Sequence, residues 1–260
     1  MSKASLYALG TGDGWVGDRR AHSAFLFRLG ENTVLLDCGE PVSRSLRAAG
    51  VAPDKLDAII LSHLHCDHVG GFFMLMQGLW LDKRARPLPI HLPAEGLEPV
   101  RNMLNAAYIF EELLACELAY TPLAAKTPFN VGNIRITPFA TTHLDRLREA
   151  FANKYPAAFE AFSFLLETDE ACVAHSADIG ALTDLDPLLE KPVDLLVCEL
   201  AHVEPDELFA YLADRPIGRV AFTHLSRPYR EKLDELKATA AKALCNMPHT
   251  FLMDGDVVEV

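Results

Sequence analysis

The chain has 260 residues, half of them hydrophobic and 23% charged, with 24 basic against 36 acidic side chains and a net charge of −12. It is long enough to bury a core without a disulfide or zinc staple. It is too acidic for a protein whose affinity comes from neutralising a long phosphate backbone, so long nucleic acid is an unlikely partner, while a small anionic substrate held by a few local cations stays open. Aliphatic residues run through the whole length, which argues against disorder. There is no basic leader followed by an apolar stretch and no apolar run of about 18 residues, so neither a secretory signal nor a membrane span is expected. Six scattered cysteines without a C-x-x-C pair are expected as reduced, mostly buried thiols of a cytoplasmic protein.

In chain order, the apolar periodicity predicts strands over 6–8, 24–29 and 33–37, the last two forming a hairpin across Gly30-Glu31-Asn32. A helix over 42–49 stops at Gly50. A strand over 58–61 precedes an apolar helix over 72–81. The basic stretch 82–86 reads as surface. Then come a strand over 90–92, a broken helix over 97–118, a strand over 134–139 and a second broken helical stretch over 144–159. Strands follow over 163–167, 171–174 and 195–198. Pro205, Asp206 and Glu207 suit the start of a short helix ending at Leu212. A strand over 220–222, an amphipathic helix over 229–244 and a strand over 257–260 complete the chain. Hairpins first and alternating strands and helices later predict mixed sheets with helices on their outer faces, one α/β domain over 1–260.

The sharpest feature is Ser62-His63-Leu64-His65-Cys66-Asp67-His68-Val69-Gly70-Gly71. His63, His65, Asp67 and His68 follow a buried strand, where α/β proteins place their sites. Two histidines two residues apart point the same way on extended backbone, and Asp67 and His68 then enter a turn and can face a second metal. Four unrelated polar groups there would be costly to satisfy. The two glycines let the chain turn tightly into the next helix. Four separate residues also follow apolar runs: Asp37, His143, Asp178 and His224. Imidazoles with a bridging carboxylate suit zinc, with manganese or iron as alternatives, and leave coordination positions for water.

H-x-H-x-D-H followed by a separate His, Asp and His resembles the metallo-β-lactamase superfamily. Leu9-Gly10-Thr11-Gly12, Leu36-Asp37-Cys38-Gly39 and Phe222-Thr223-His224-Leu225-Ser226 further resemble its ribonuclease Z-like and cyclic phosphodiesterase branch. The resemblance implies a four-layer αβ/βα sandwich with a dinuclear centre on one edge. It assigns His63, His65 and His143 to one metal, Asp67, His68 and His224 to the other, and Asp178 to the bridge. Asp67 is also counted as catalytic, and Asp37 as a carboxylate orienting a ligand histidine.

Such a centre implies a metal-dependent hydrolase in which a bridging hydroxide attacks phosphorus or a carbonyl carbon. In ribonuclease Z relatives a His-Glu-Ala-Thr-like motif supplies the proton donor. Here Cys198-Glu199-Leu200-Ala201 takes its place, and His202, four residues after the missing histidine, is the candidate donor. Arg227 is a candidate substrate-binding cation. His175 and His22 are weaker candidates, His91 and His249 show no site pattern, and Cys66 is expected to be a packed spectator. Residues 144–162 look like an insertion serving as lid or homodimer surface. A small or cyclic phosphodiester is the expected substrate. The alternatives are a lactone or other ester, then a tRNA 3′-processing endonuclease or a non-hydrolytic metal-binding protein.

Overall fold

The computed structural model describes residues 4–17 and 19–260. Met1 to Lys3, where a leader would start, and Asp18, in the loop before His22, lie outside the described residues. The first sheet collects β1 (Ser5–Gly10), β2 (Ala24–Leu29), β3 (Asn32–Leu36), β4 (Ala58–Ile60), β5 (Leu88–Leu92) and β6 (Leu118–Pro122). The second collects β7 (Phe129–Val131), β8 (Ile134–Ala140), β9 (Phe162–Glu167), β10 (Cys172–His175), β11 (Leu195–Leu200), β12 (Val220–Leu225) and β13 (His249–Phe251). β14 (Val257–Glu259) then returns to pair with β1, so each sheet has seven strands, in the orders β14-β1-β2-β3-β4-β5-β6 and β13-β12-β11-β10-β9-β8-β7. Both sheets are mixed: β3 to β6 run parallel beside the antiparallel β1 to β3, and β10 to β13 run parallel beside the antiparallel β7 to β10.

Three cores follow from strand alternation. Phe25, Phe27, Leu36 and Ile60 of the first sheet meet Ile136, Phe162, Phe164 and Val197 of the second between the layers. The alternate residues of the first sheet, Leu26, Leu35, Ile59 and Ile90, face helices α1 (Val42–Ala48), α3 (Phe72–Leu81) and α4 (Leu97–Ala106). On the other side Leu196, Cys198 and Phe222 lie under α6 (Pro205–Leu212) and α8 (Leu233–Ala243). This is the expected four-layer αβ/βα sandwich. The short helices α2 (Cys66–Val69), α5 (Asp145–Phe151) and α7 (Arg227–Glu231) sit beside the candidate site residues.

Several expectations need correction. The broken helix over 97–118 ends at Ala106, and Leu118 opens β6 instead. The stretch 144–159 is helical only over Asp145–Phe151. The helix over 229–244 begins at Arg227 and divides at Lys232, whose φ of −118° and ψ of 34° are not helical. β7 and β13, three residues each, are not expected from the sequence because Asn130 in one and His249 and Thr250 in the other break the apolar run. The basic loop is not all surface: Arg84 is buried and gives its donors to the carbonyls of Leu56, Arg86 and Pro87. Of the six cysteines, all free, only Cys38 and Cys198 are buried, while Cys66 and Cys245 are exposed. Gly70 and Gly71 serve close approach rather than turning freedom. A Cβ on Gly71 would lie 2.7 Å from the Gly39 carbonyl oxygen, and one on Gly70 2.6 Å from that of Cys66.

Candidate metal centre

The two sheets meet at an edge where their strand ends converge. From the first sheet, β4 runs into Leu61 and Ser62, then His63 and His65 on extended backbone, then Asp67 and His68 in α2. From the second, β8 leads to His143, β10 to Asp178 and β11 to His202, while His224 lies within β12. Oδ2 of Asp178 is the hub. It lies 3.8 Å from His63 Nε2, 3.4 Å from His68 Nε2, 3.6 Å from His143 Nε2 and 3.5 Å from His224 Nε2. Asp67 Oδ2 is 3.5 Å from His68 Nε2 and 3.8 Å from His224 Nε2. His65 closes the first group through Nδ1, 3.1 Å from His143 Nε2. Thus His63, His65, His143 and Asp178 form one cluster and Asp67, His68 and His224 another, each with its donor atoms within 4.8 Å of one another.

The reverse sides of these rings are anchored. Asp37 accepts from His68 Nδ1 at 2.7 Å and from the Ser62 amide and hydroxyl at 2.7 and 2.9 Å. Since the Ser62 hydroxyl donates to Asp37, it accepts from His63 Nδ1 at 3.0 Å. The network therefore puts the proton of both rings on Nδ1 and turns Nε2 inward. Ser23 Oγ meets His224 Nδ1 at 2.8 Å. Three strained backbone positions support this arrangement: Asp37, Ala177 and His224 have φ of 63°, 45° and 50°. Each costs about 1–3 kcal/mol and is held only by the surrounding structure.

Electrostatics divide the imidazoles around an anion, keeping His63 and His143 neutral and favouring a charge on His68 and His202. Burial, then the neighbouring His68, pushes His63 well down, and burial takes His143 to about 4. Burial pushes the Asp178 carboxyl up, but His224, His68 and His63 outweigh it and hold it well below the usual range. Burial also opposes a charge on His68, yet Asp178 and Asp37 raise it well above the ordinary value, so its proton sits where a cation would. For His202, burial is outweighed by the hydrogen bond and charge of Glu199, and the imidazole rises to about 9.

The residues fit a metal on the structure's own terms. Nε2 of His63 and of His68 are buried with no hydrogen-bond partner among the described residues, a costly state unless they ligate a cation. The spacings of 3.4 to 3.8 Å around Asp178 compare with about 3.3–3.6 Å for the ligand–ligand edge of a tetrahedron with bonds of about 2.0–2.2 Å.

His202 lies beside the clusters with its side chain 35% exposed. Its Nδ1 donates to Glu199 Oε1 at 3.0 Å, its ring stacks on His224 at 5.7 Å, and it lies 4.5 Å from the ring of His143. Sequence reasoning passed over Glu199, although it stands where the relatives' motif keeps its glutamate. Buried, it also accepts from the amides of Ile179 and His202. Arg227 lies on the rim, paired with Glu231 at 3.0 Å and 5.6 Å from the Trp15 ring centroid. A cavity of about 500 Å³ opens there, lined by Trp15, Arg19, Arg20, Arg227 and Arg230. Gly14, next to Trp15, packs on Asp67, since a Cβ there would be 3.4 Å from Oδ2. His175 points away into the inter-sheet core against Phe25 and Phe27 and accepts from the Ala177 amide at 2.9 Å. His22 contacts the Asp13 carbonyl through Nδ1 at 2.8 Å, and His91 stacks on Phe129.

Residues 4–211 match the family described as Anti-Pycsar protein Apyc1. A ribonuclease Z of Nocardia farcinica is 30% identical over 225 residues, which covers 82% of this chain and 68% of that relative. A ribonuclease Z of Methanococcus maripaludis is 37% identical over 138 residues, covering 52% of this chain and 44% of that relative. The metallo-β-lactamase fold protein YhfI of Bacillus subtilis shares the fold with a TM-score of 0.79 at 21% identity, both chains being covered in full, 100% each. Fold and homology define a metal-dependent hydrolase of the metallo-β-lactamase superfamily, ribonuclease Z-like. Within it, the chain belongs to the Anti-Pycsar protein Apyc1 family.

Proposed function

We propose that the chain is a dinuclear hydrolase of small phosphodiesters, cyclic ones first, a single catalytic domain over 1–260. The observation that carries the reading is Asp178 Oδ2 set between four inward-facing imidazole nitrogens at 3.4 to 3.8 Å. His63, His65 and His143 would hold one divalent ion, Asp67, His68 and His224 the other, with Asp178 shared and zinc the first choice. When bound, such a pair activates water at neutral pH and neutralises charge developing on the phosphoryl oxygens.

The chain's own residues do the rest. Asp37 and Ser62 fix the orientation of His63 and His68, and Asp67 fixes the second cluster against the loop carrying Trp15. Glu199 holds Nδ1 of His202, leaving the ring's other nitrogen, Nε2, to carry the proton for the leaving oxygen. Arg227 and its neighbours give the rim positive charge for a small anion, and Trp15 adds a flat apolar face. Exposed Leu147, Phe151 and Tyr155 suit residues 144–162 to a lid or a contact with a second copy. Among the described residues no helix is long and apolar enough to cross a membrane, and six free thiols support the cytoplasm as its compartment.

The ribonuclease Z relatives favour a second reading, cleavage of a tRNA precursor; the net charge of −12 weighs against it. The test is turnover by the zinc- or manganese-loaded chain of bis(p-nitrophenyl) phosphate and a 3′,5′-cyclic mononucleotide, beside a tRNA precursor and a lactone panel. Opening of the cyclic diester is expected. Lactone turnover with no phosphodiester turnover would refute the reading, and selective tRNA cleavage would replace it with the second.

A further inference from the structure

The second sheet supplies its candidate ligands from separate strand ends, and two of them lack a common ladder. His143 follows β8 and Asp178 follows β10, but β9 lies between those strands. No strand pairing therefore sets the spacing of the two loops, although both must reach the first cluster. One side chain spans the gap. Asp184, buried in the 3-10 turn Leu182–Leu188, accepts at a single oxygen, Oδ2, from the amide and the hydroxyl of Thr142, each at 2.9 Å, from the Gly180 amide at 2.9 Å and from the Ala181 amide at 3.3 Å. Ordinary capping of that turn needs the Ala181 bond alone. The other three bonds join the residue before His143 to the second residue after Asp178. The loops are in contact there: a Cβ on Gly180 would lie 2.4 Å from the Thr142 carbonyl oxygen. Beside this clamp, the Thr141 hydroxyl donates to the Asp178 carbonyl at 2.9 Å.

We infer that Asp184 is a positioning residue for the first metal pocket: without touching the metal or substrate, it holds His143 and Asp178 at the separation a shared cation requires. This rests on the dinuclear reading of the site. The Asp67, His68 and His224 pocket has its own support in Asp37 and Ser23, so losing Asp184 reaches it only through the shared Asp178 and weakens it less than the first. A carboxylate suits the task because bonds to a charged acceptor are roughly twice as strong as neutral ones. An Asn there would have to keep its carbonyl toward four donors and would lose the charge.

The experiment compares Asp184→Asn with Asp57→Asn. Asp57 also bridges segments, accepting from the Thr33 amide at 2.8 Å and pairing with Arg86, but at the opposite end of β4 from the candidate ligands. Zinc affinity is measured for each equivalent against a competing chelator, cobalt loading is followed by visible absorption, and amide exchange of Thr142 and Gly180 is measured in the metal-free chain. In Asp184→Asn one equivalent weakens about 10–100-fold with an altered cobalt spectrum, the other, which shares only Asp178 with it, weakens clearly less, and the two amides exchange faster. Asp57→Asn, at a similar loss of melting temperature, leaves both equivalents unchanged. Wild-type affinity for both equivalents in Asp184→Asn, or equal weakening in the two variants, overturns the inference. A wild-type chain that takes up fewer than two equivalents refutes the dinuclear reading itself. The clamp then stands or falls on the exchange of the Thr142 and Gly180 amides.

Discussion

The two sheets contribute to the site in opposite ways. The first delivers His63, His65, Asp67 and His68 from one stretch between β4 and α3, so the local backbone sets most of their relative positions and one outside carboxylate, Asp37, orients the rings. The second delivers His143, Asp178, His202 and His224 from β8, β10, β11 and β12, four strands of which β8 is separated from the rest by β9. A contiguous motif carries its geometry with it. A dispersed one needs fasteners, and these are the buried carboxylates of Asp184 and Glu199 with the Thr141 hydroxyl. The difference teaches that conspicuous ligands and the groups that space them are different residues, and that only the ligands announce themselves in a motif.

The comparison can be broken most directly at the contact between the halves, His65 Nδ1 with His143 Nε2. His65→Ala and His143→Ala should each lower turnover of bis(p-nitrophenyl) phosphate by at least about 10²–10³-fold, the scale on which single electrostatic groups act, with circular dichroism unchanged. Normal activity in either variant would remove that half from the centre. His202→Gln should cost about 10²-fold or more with an alkoxide leaving group, but far less with p-nitrophenolate, which leaves without a proton. An equal loss with both leaving groups would make His202 structural. The smallest effect belongs to the rim: Arg227→Ala should raise KM about two- to fivefold at constant kcat. That corresponds to about 0.5–1 kcal/mol for an exposed cation already paired with Glu231, and a fall in kcat instead would place it at the reacting group.

The contrast also explains what could be read before any fold was known. Strands with strong alternation are legible from their period, the helix Phe72–Leu81 from its continuous apolar run, and Pro205–Leu212 from its Pro-Asp-Glu start. The H-x-H-x-D-H stretch is legible because four potential ligands in six residues have few other uses. His143, Asp178 and His224 needed the resemblance as well, since a lone His or Asp at a strand end carries no chemistry by itself. Asp184 stayed hidden because its importance lies in backbone amides brought together by folding, which leave no pattern in the sequence, whereas Glu199 sits in the motif position but is masked by the replaced histidine before it. Arg84 was misread for a related reason: the carbonyls that make its burial tolerable come partly from Leu56, 28 residues away. The stretch 229–244 reads as one helix rather than two because its apolar spacing continues across the break at Lys232.

β14 has a consequence for how the protein is made. The first sheet begins with Ser5 and is finished by Val257–Glu259, with the Val260 amide donating to the Ala4 carbonyl at 2.9 Å. Just before that strand, Asp254 accepts from the amide and hydroxyl of Thr11, whose own carbonyl receives the His224 amide. A nascent chain emerging residue by residue thus carries all the candidate ligands into the cell before it can close the sheet that starts at its own beginning. That pairing spans nearly the whole sequence, the kind of contact that forms slowly. Until β14 has left the ribosome, β1 is an open edge and the loop under His224 is unfastened, so the site matures only after that strand is made.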